Sequence, residues 1–256
     1  MAEPLLSFCT TNYNCAHVLK EHLESIYAIF DEDNFEYIVV DNKSQDRSYH
    51  ILQDFAQNHR NMKVLSKKCT MGRGRQLAFL ESTGKFIIVV DTDTLYFLIA
   101  REFVDMYLEQ YPDLAVQAKL FGIFPREIWE GIGGRGDFNT GEDFEMWMKI
   151  WKIGKMKWYP LLMGTNVKED SAKDSYDYLS TRYARFEKFT RFLRREFDTM
   201  RLRKYEKLDL VNVWKSNMVD FGLGRPDETY FGLRRSPPLL SLPRHFAKSI
   251  LQILAG

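Results

Sequence analysis

What the chain lacks narrows its options first. It has three cysteines in 256 residues, Cys9, Cys15 and Cys69. They form no CxxC pair, so neither a disulfide framework nor a zinc knuckle is expected, and a reducing cytoplasmic setting is. It has little net charge: 36 basic residues against 35 acidic ones leave +1, which gives no general attraction to nucleic acid or anionic lipid. It has no run of about 18 apolar residues and no basic, apolar leader at MAEPLLSFCTTNYN, so no membrane span and no secretion signal are expected. Its five histidines, His17, His22, His50, His59 and His245, make no H-x-x-x-H or H-E pair, which disfavours a zinc hydrolase.

What is present is an ample apolar fraction, 45%, distributed in alternating patterns. Short apolar runs at 5–8, 37–40 and 86–90, with a weaker one at 62–65, read as buried strands of a parallel sheet. Between them, helical spacing at 16–30 (Val18, Leu19, Leu23, Ile26, Ile29), at 48–57 (Tyr49, Leu52, Phe55) and at 75–82 gives a βαβαβαβ order. That order predicts a Rossmann-like, doubly wound, mostly parallel α/β sheet. A helix at 97–111, a strand at 114–118, a glycine-rich stretch at 131–136 and a helix at 144–153 follow.

Ligands bind such sheets beyond the carboxyl ends of the strands. The polar clusters there are Thr10-Thr11-Asn12-Tyr13-Asn14, Asp41 to Asp46, and Asp91-Thr92-Asp93. Two carboxylates at i and i+2 suit a hard divalent cation, and a diphosphate is that cation's natural partner. Taken alone, the pair is also what a capping turn looks like. Asp41 can accept from a nucleobase N–H, and Asp46 can cap the next helix or touch a ligand. Gly72-Arg73-Gly74-Arg75 sets two positions without side chains beside two cations, which suits a diphosphate or sugar, or a plain basic loop. Glu142-Asp143 opens a helix and reads either as a catalytic acid pair or as ordinary helix-start acidity.

The succession SFCTTNYNCAHVLKEHLESI, IVVDNKSQD, MGRGRQLAFLESTGKFIIVVDTDT and IGGRGDFNTGEDFEMWMKIWKIGKMKW resembles the family 2 glycosyltransferases of GT-A fold, in order from about residue 5 to about residue 160. The resemblance implies a hexosyltransferase that moves a single sugar, by inversion, from a UDP- or GDP-type nucleotide-diphosphate sugar. The acceptor would be a glycan, a lipid-linked molecule or a small molecule, through a hydroxyl or a lipid phosphate. It implies Mn2+ or Mg2+ held directly by Asp93, with Asp91 as a second or water-mediated contact, and Asp143, beside Glu142, as the base. Donor contacts would come from Thr11, Asn12, Asn14, Asp41, Gly72, Arg73, Arg75, Asp91 and Thr92. Two positions depart from the family's pattern: Gln76 stands where asparagine is common, and Asn12 where threonine is. A Gln-x-x-Arg-Trp string is missing, which argues against processive synthesis. A non-catalytic nucleotide-sugar-binding protein of the same fold is the alternative; a sugar-phosphate nucleotidyltransferase fits less well, because its Gly-x-Gly-Thr-Arg loop is not found after the first strand.

The expected organisation is a catalytic domain over 1–165, with a nucleotide-binding half (1–95) and an acceptor half (96–165), and a helical C-terminal extension over 166–256. In the extension, Tyr183, Phe186, Phe189, Leu193, Phe197 and Met200 define one helix face. Nine basic residues oppose four acidic ones over 182–206. Packing against the sheet domain and peripheral contact with the cytoplasmic face of a membrane, through 182–204 or 245–254, both remain open. No nucleic-acid partner is expected.

Overall fold

The computed structural model describes residues 4–167 together with 197, 198, 200–202, 216 and 217, all inside one compact unit, Met1–Pro226. Most of the expected extension, including 245–254 and much of 182–204, lies outside the described residues.

In chain order the elements are β1 (Leu6–Asn12), α1 (Leu19–Ile29), β2 (Phe35–Asp41), α2 (Ser48–Asn58), β3 (Met62–Ser66), α3 (Met71–Leu80), β4 (Phe86–Val89), β5 (Thr94–Tyr96), α4 (Ile99–Gln110), β6 (Ala115–Lys119), β7 (Phe121–Pro125), α5 (Arg126–Gly131), α6 (Glu142–Lys152), β8 (Met156–Leu162) and β9 (Gly164–Asn166). Seven strands form one sheet in the order β3-β2-β1-β4-β7-β6-β8, and β5 pairs with β9 in a separate ribbon. The first four strands run parallel, β7 runs antiparallel to both its neighbours, and β8 is parallel to β6. The mixed, mostly parallel α/β sheet agrees with the pattern of the sequence.

Period-two alternation sends successive side chains to opposite faces, and both faces are buried. Phe8, Tyr37, Val39 and Ile88 pack on one side with Leu19, Leu23 and Phe103. Cys9, Ile38, Val40, Ile87 and Val89 pack on the other with Phe79, Trp129 and Trp147. The register pairs Asn12 with Asp41 at the ends of β1 and β2, while β4 stops at Val89 opposite Cys9, so the polar residues just after β4 come to the same edge as Asn12. All three cysteines are free.

The Gly-Arg-Gly-Arg segment is the first turn of α3 rather than a loop. Thr70 caps it, its hydroxyl accepting from the Arg73 N–H at 3.1 Å. The glycines let this helix come close to its neighbours: a Cβ on Gly74 would lie 2.7 Å from Thr11 Oγ1, and one on Gly72 would lie 2.2 Å from the Gly136 carbonyl oxygen. Among the described residues no helix is long and apolar enough to cross a membrane.

Candidate active site

The first wall of the site is made by strand ends. Asp41 closes β2 and is fully buried. Its Oδ1 accepts from Asn12 Nδ2 at 2.8 Å and from Ser44 Oγ at 2.6 Å, and its Oδ2 accepts from the Ser44 N–H at 2.9 Å. Asn12, 1% exposed, thus has its amide nitrogen turned to a carboxylate, while its own Oδ1 is buried without a hydrogen-bond partner. Asn14 sits in the left-handed region at φ 50° and ties loops together: its N–H donates to Ser44 Oγ at 3.0 Å and its Oδ1 accepts from the Gln45 N–H at 2.8 Å. Asp46 takes the capping role, accepting from the N–H groups of Ser48 (2.9 Å) and Ala16 (3.0 Å).

Asp91, Thr92 and Asp93 form the turn between β4 and β5. Tyr96 donates its hydroxyl to the Leu120 carbonyl at 2.9 Å and accepts the Asp91 N–H at 3.0 Å. The Val167 N–H donates to the Asp93 carbonyl at 2.8 Å. Behind the turn, buried His22 donates from Nδ1 to the Thr94 carbonyl at 2.7 Å and accepts from the Tyr37 hydroxyl at Nε2, also 2.7 Å. Burial lowers this imidazole to about 4, so it is a neutral brace under the aspartate turn.

The second wall is the loop 136–141 and the start of α6. Arg75, on α3 and nearly fully buried, joins the two walls: Nη2 pairs with Asp91, while Nη1 reaches Glu142 Oε1 at 2.8 Å and Asp143 Oδ1 at 2.9 Å. Arg135, with a side chain 0% exposed, adds a second cation to Asp143 Oδ1 at 2.5 Å. Its guanidinium lies 5.5 Å from the centroid of the Trp129 ring. Gln76 holds this arrangement, its Oε1 accepting from Trp129 Nε1 at 2.8 Å and from the Arg135 N–H at 2.9 Å. The longer amide at position 76 therefore serves as a clamp between α3 and the glycine-rich stretch.

Charge states follow from this packing. Burial raises the Asp143 carboxyl, but Arg75 and Arg135 outweigh it and hold the group well below the usual carboxylate range. Burial, then the neighbouring Asp143 charge, pushes Glu142 up to about 7 against the pull of Arg75. Burial likewise pushes Asp91 up to about 6 despite Arg75. Arg75 itself is stabilised as a cation, because Asp143, Asp91 and Glu142 together overcome its desolvation.

Between the walls lies a pocket of about 240 Å³ lined by Thr11, Asn12, Arg75, Asp91, Thr92, Asp93, Glu142 and Asp143, with Tyr13, Asn42, Met71, Asn139 and Asn166 completing it. Eight of the anticipated residues are thus brought together. Asn14, Asp41, Gly72 and Arg73 do not line it: the first two support the loops above β1 and β2, and Gly72 packs against the acid loop. Arg135, Asn139 and Asn166 are contributors that the sequence did not single out. Asp198 is another; it accepts the N–H groups of Asn139 and Thr140 at 2.8 and 3.2 Å. Among the described residues no three His, Cys, Asp or Glu side chains converge as a metal cage. Asp91 and Asp93 offer a two-carboxylate oxygen set, the kind magnesium accepts when substrate phosphates and water complete its shell.

Known proteins agree with this architecture. Residues 7–118 match the family model described as glycosyl transferase family 2. An uncharacterized glycosyltransferase of Methanocaldococcus jannaschii is 28% identical over 117 residues, covering 44% of this chain and 40% of that protein. The mannosyltransferase PcManGT from Pyrobaculum calidifontis, solved with GDP-Man and Mn2+, superposes with a TM-score of 0.58 at 20% identity, covering 71% of this chain and 61% of that one. S. aureus TarS 1-349, solved with UDP-GlcNAc, gives 0.58 at 17% identity, covering 70% and 61%. The chain therefore spans about two fifths of the curated relative and three fifths of these solved chains. Over residues 7–118 the chain is thus similar to glycosyl transferase family 2, and its mixed α/β sheet has the GT-A fold of these solved glycosyltransferases.

Proposed function

We propose that this chain moves one sugar from a UDP- or GDP-type nucleotide-diphosphate sugar to an acceptor hydroxyl or lipid phosphate, with inversion at the anomeric carbon. The observation that carries the reading is Arg75, which ties Asp91 to Glu142 and Asp143 on the wall of a single pocket. The aspartate turn and the acid pair thus address the same space. The ligands bound in the similar structures, GDP-Man with Mn2+ and UDP-GlcNAc, support a donor of this class.

Asp93, with Asp91, would hold Mn2+ or Mg2+ beside the diphosphate. Such a cation, when bound, neutralises the charge that develops on the leaving nucleotide. Thr11, Thr92 and Arg75 contact the donor. With a hydroxyl acceptor, the acceptor oxygen attacks the anomeric carbon, the bond from that carbon to the diphosphate oxygen breaks, and its electron pair leaves with the nucleotide. The acceptor proton goes to Asp143. Both arginines bond Asp143 through Oδ1, which leaves Oδ2 for the acceptor; they keep the carboxylate ionised but lower its basicity, so it takes the proton late, once the acceptor oxygen has gained positive charge on bonding the anomeric carbon. Glu142 holds Arg75 in place.

The base of the donor falls to Asn12 backed by Asp41. A flipped amide would set its oxygen against the Asp41 carboxylate, so the orientation is fixed. The buried, unpartnered Oδ1 is then an acceptor in want of a donor. Uracil, thymine and guanine carry a ring N–H of that kind. Thermal-shift measurements with UDP, GDP, dTDP, CDP and ADP, each with and without manganese, test both levels, since a ligand of the folded state raises its stability by mass action. Stabilisation by UDP or GDP, lost in Asn12→Leu, is expected. Equal responses to CDP and ADP would overturn the base assignment, and silence with every nucleotide would overturn the donor reading.

A further inference from the structure

The loop 136–141 carries the backbone into Glu142 and Asp143, so whatever fixes this loop fixes the acid pair. One side of it is tied to α3: the Gly72 N–H donates to the Phe138 carbonyl at 2.9 Å, the Met71 N–H to Asn139 Oδ1 at 3.0 Å, and Thr70 Oγ1 to Asp137 Oδ1 at 2.5 Å. The other side is held from far along the chain. Asp198, fully buried, accepts two successive loop N–H groups on one oxygen, Asn139 at 2.8 Å and Thr140 at 3.2 Å. Arg201 lies with its guanidinium 3.9 Å from the Phe138 ring centroid and donates Nη1 to the Asp137 carbonyl at 3.0 Å. Leu202 Cδ1 sits 2.4 Å from where a Cβ on Gly141 would stand, and Gly141 has a φ of 72°. It packs beside Met148 and Phe144 of α6.

The direction of this contact is informative. The apolar residues Phe197 and Met200 are 64% and 50% exposed, while the carboxylate between them is buried. An aspartate is taken out of water only where strong partners replace its hydration, and charge-assisted bonds from backbone N–H groups do so. Asp198 and Arg201 thus bind the loop that delivers the acid pair, and Leu202 packs beside the start of α6.

We infer that Asp198 is a positioning residue of the active site, a latch that fixes Asn139 and Thr140 and through them Asp143, with Arg201 and Leu202 completing its seat. The kinetic part of the inference rests on Asp143 being the acceptor base; the structural part does not. Hydrogen exchange of the full chain, read at residues 137–143 and at β1 and β4, separates the two. In Asp198→Ala, exchange at Asn139 and Thr140 should rise about 10- to 100-fold, with β1 and β4 unchanged. Asp198→Asn, which keeps one acceptor oxygen, should restore part of the protection. Turnover of a UDP- or GDP-sugar with manganese, water serving as acceptor, should fall about ten-fold in Asp198→Ala while KM for the donor stays within about three-fold. Uniformly faster exchange over all core amides would make Asp198 a general stability residue and overturn the latch, as would unchanged exchange at 139 and 140. Local exposure of the loop in Asp198→Ala, alongside full activity in Asp143→Asn, would keep the latch and remove Asp143 as base.

Discussion

On the strand-end wall of the pocket, Asn12, Asp91 and Asp93 stand where parallel strands stop, and the regular register of β1, β2 and β4 brings them to one edge. On the loop wall, Glu142 and Asp143 follow a glycine-bearing loop with no strand behind it. They are held instead by buried arginines, by Gln76, and by Asp198 from more than fifty positions away in the chain. A sheet places side chains by backbone hydrogen bonding that almost any sequence can make. A loop must be placed by particular side chains, and so it is exposed to substitution at a distance. The strand wall should therefore resist remote changes, and the loop wall should record them.

The largest effect expected on the loop wall is that of Asp143→Asn, which should cut turnover of the nucleotide sugar by about 10²- to 10⁴-fold with donor affinity by calorimetry no weaker than wild type. An equal loss of affinity would make Asp143 a binding residue. Arg135→Met removes one of the two cations on Asp143 Oδ1 without touching the strand wall. Breaking a fully buried pair costs about 3–5 kcal/mol; because Asp143 is half-exposed, the loss at pH 7 should be smaller, about 1–3 kcal/mol by denaturant unfolding. The lowered pKa of Asp143 means that this pairing contributes above the unfolded carboxylate pKa and fades as pH falls, so the deficit of Arg135→Met should shrink in acid. A deficit independent of pH would assign the loss to the packing of Arg135 on Trp129.

Glu142 sends the opposite signal. Its folded-state carboxyl is raised from 4.5 to about 7, so the folded protein binds a proton that the unfolded chain has released, and stability falls as pH rises through that window. Glu142→Gln should flatten this decline, gaining on the order of 2 kcal/mol relative to wild type between pH 5 and 8. A parallel pH profile for the two proteins would contradict the assignment. The smallest change expected is that of Gln76→Ala, which strands the Trp129 indole N–H and the Arg135 N–H and should cost about 1–2 kcal/mol. No loss of stability would show that water replaces the amide.

The strand wall was legible because buried strands announce themselves as apolar runs, and the residues that follow each run are the ones a parallel sheet presents to ligand. The first turn of α3 was not, since glycine is a poor helix former and Gly72 and Gly74 read as loop. They are glycine because their neighbours come too close for a Cβ, a fact that lives in tertiary packing. β7 was hidden for a similar reason, its Gly122 and Pro125 breaking the strand pattern; Gly122 sits where a Cβ would meet the Trp147 ring at 2.7 Å. Arg135 showed only as one residue of a glycine-rich stretch, and nothing local marks it as the buried partner of Asp143. Asp198 stood among basic and apolar residues, and nothing local marks it as the acceptor of two loop N–H groups.

Asp91 and Asp93 are proposed as the metal side of the donor pocket, and calorimetric titration of UDP and GDP into Asp93→Ala and wild type, with and without manganese, tests that role most directly. In wild type, manganese should tighten nucleotide binding about ten-fold or more, a gain of about 1.4 kcal/mol or above. In Asp93→Ala the gain should vanish, with Tm within a few degrees of wild type. An undiminished manganese-dependent gain in that variant would contradict the metal assignment.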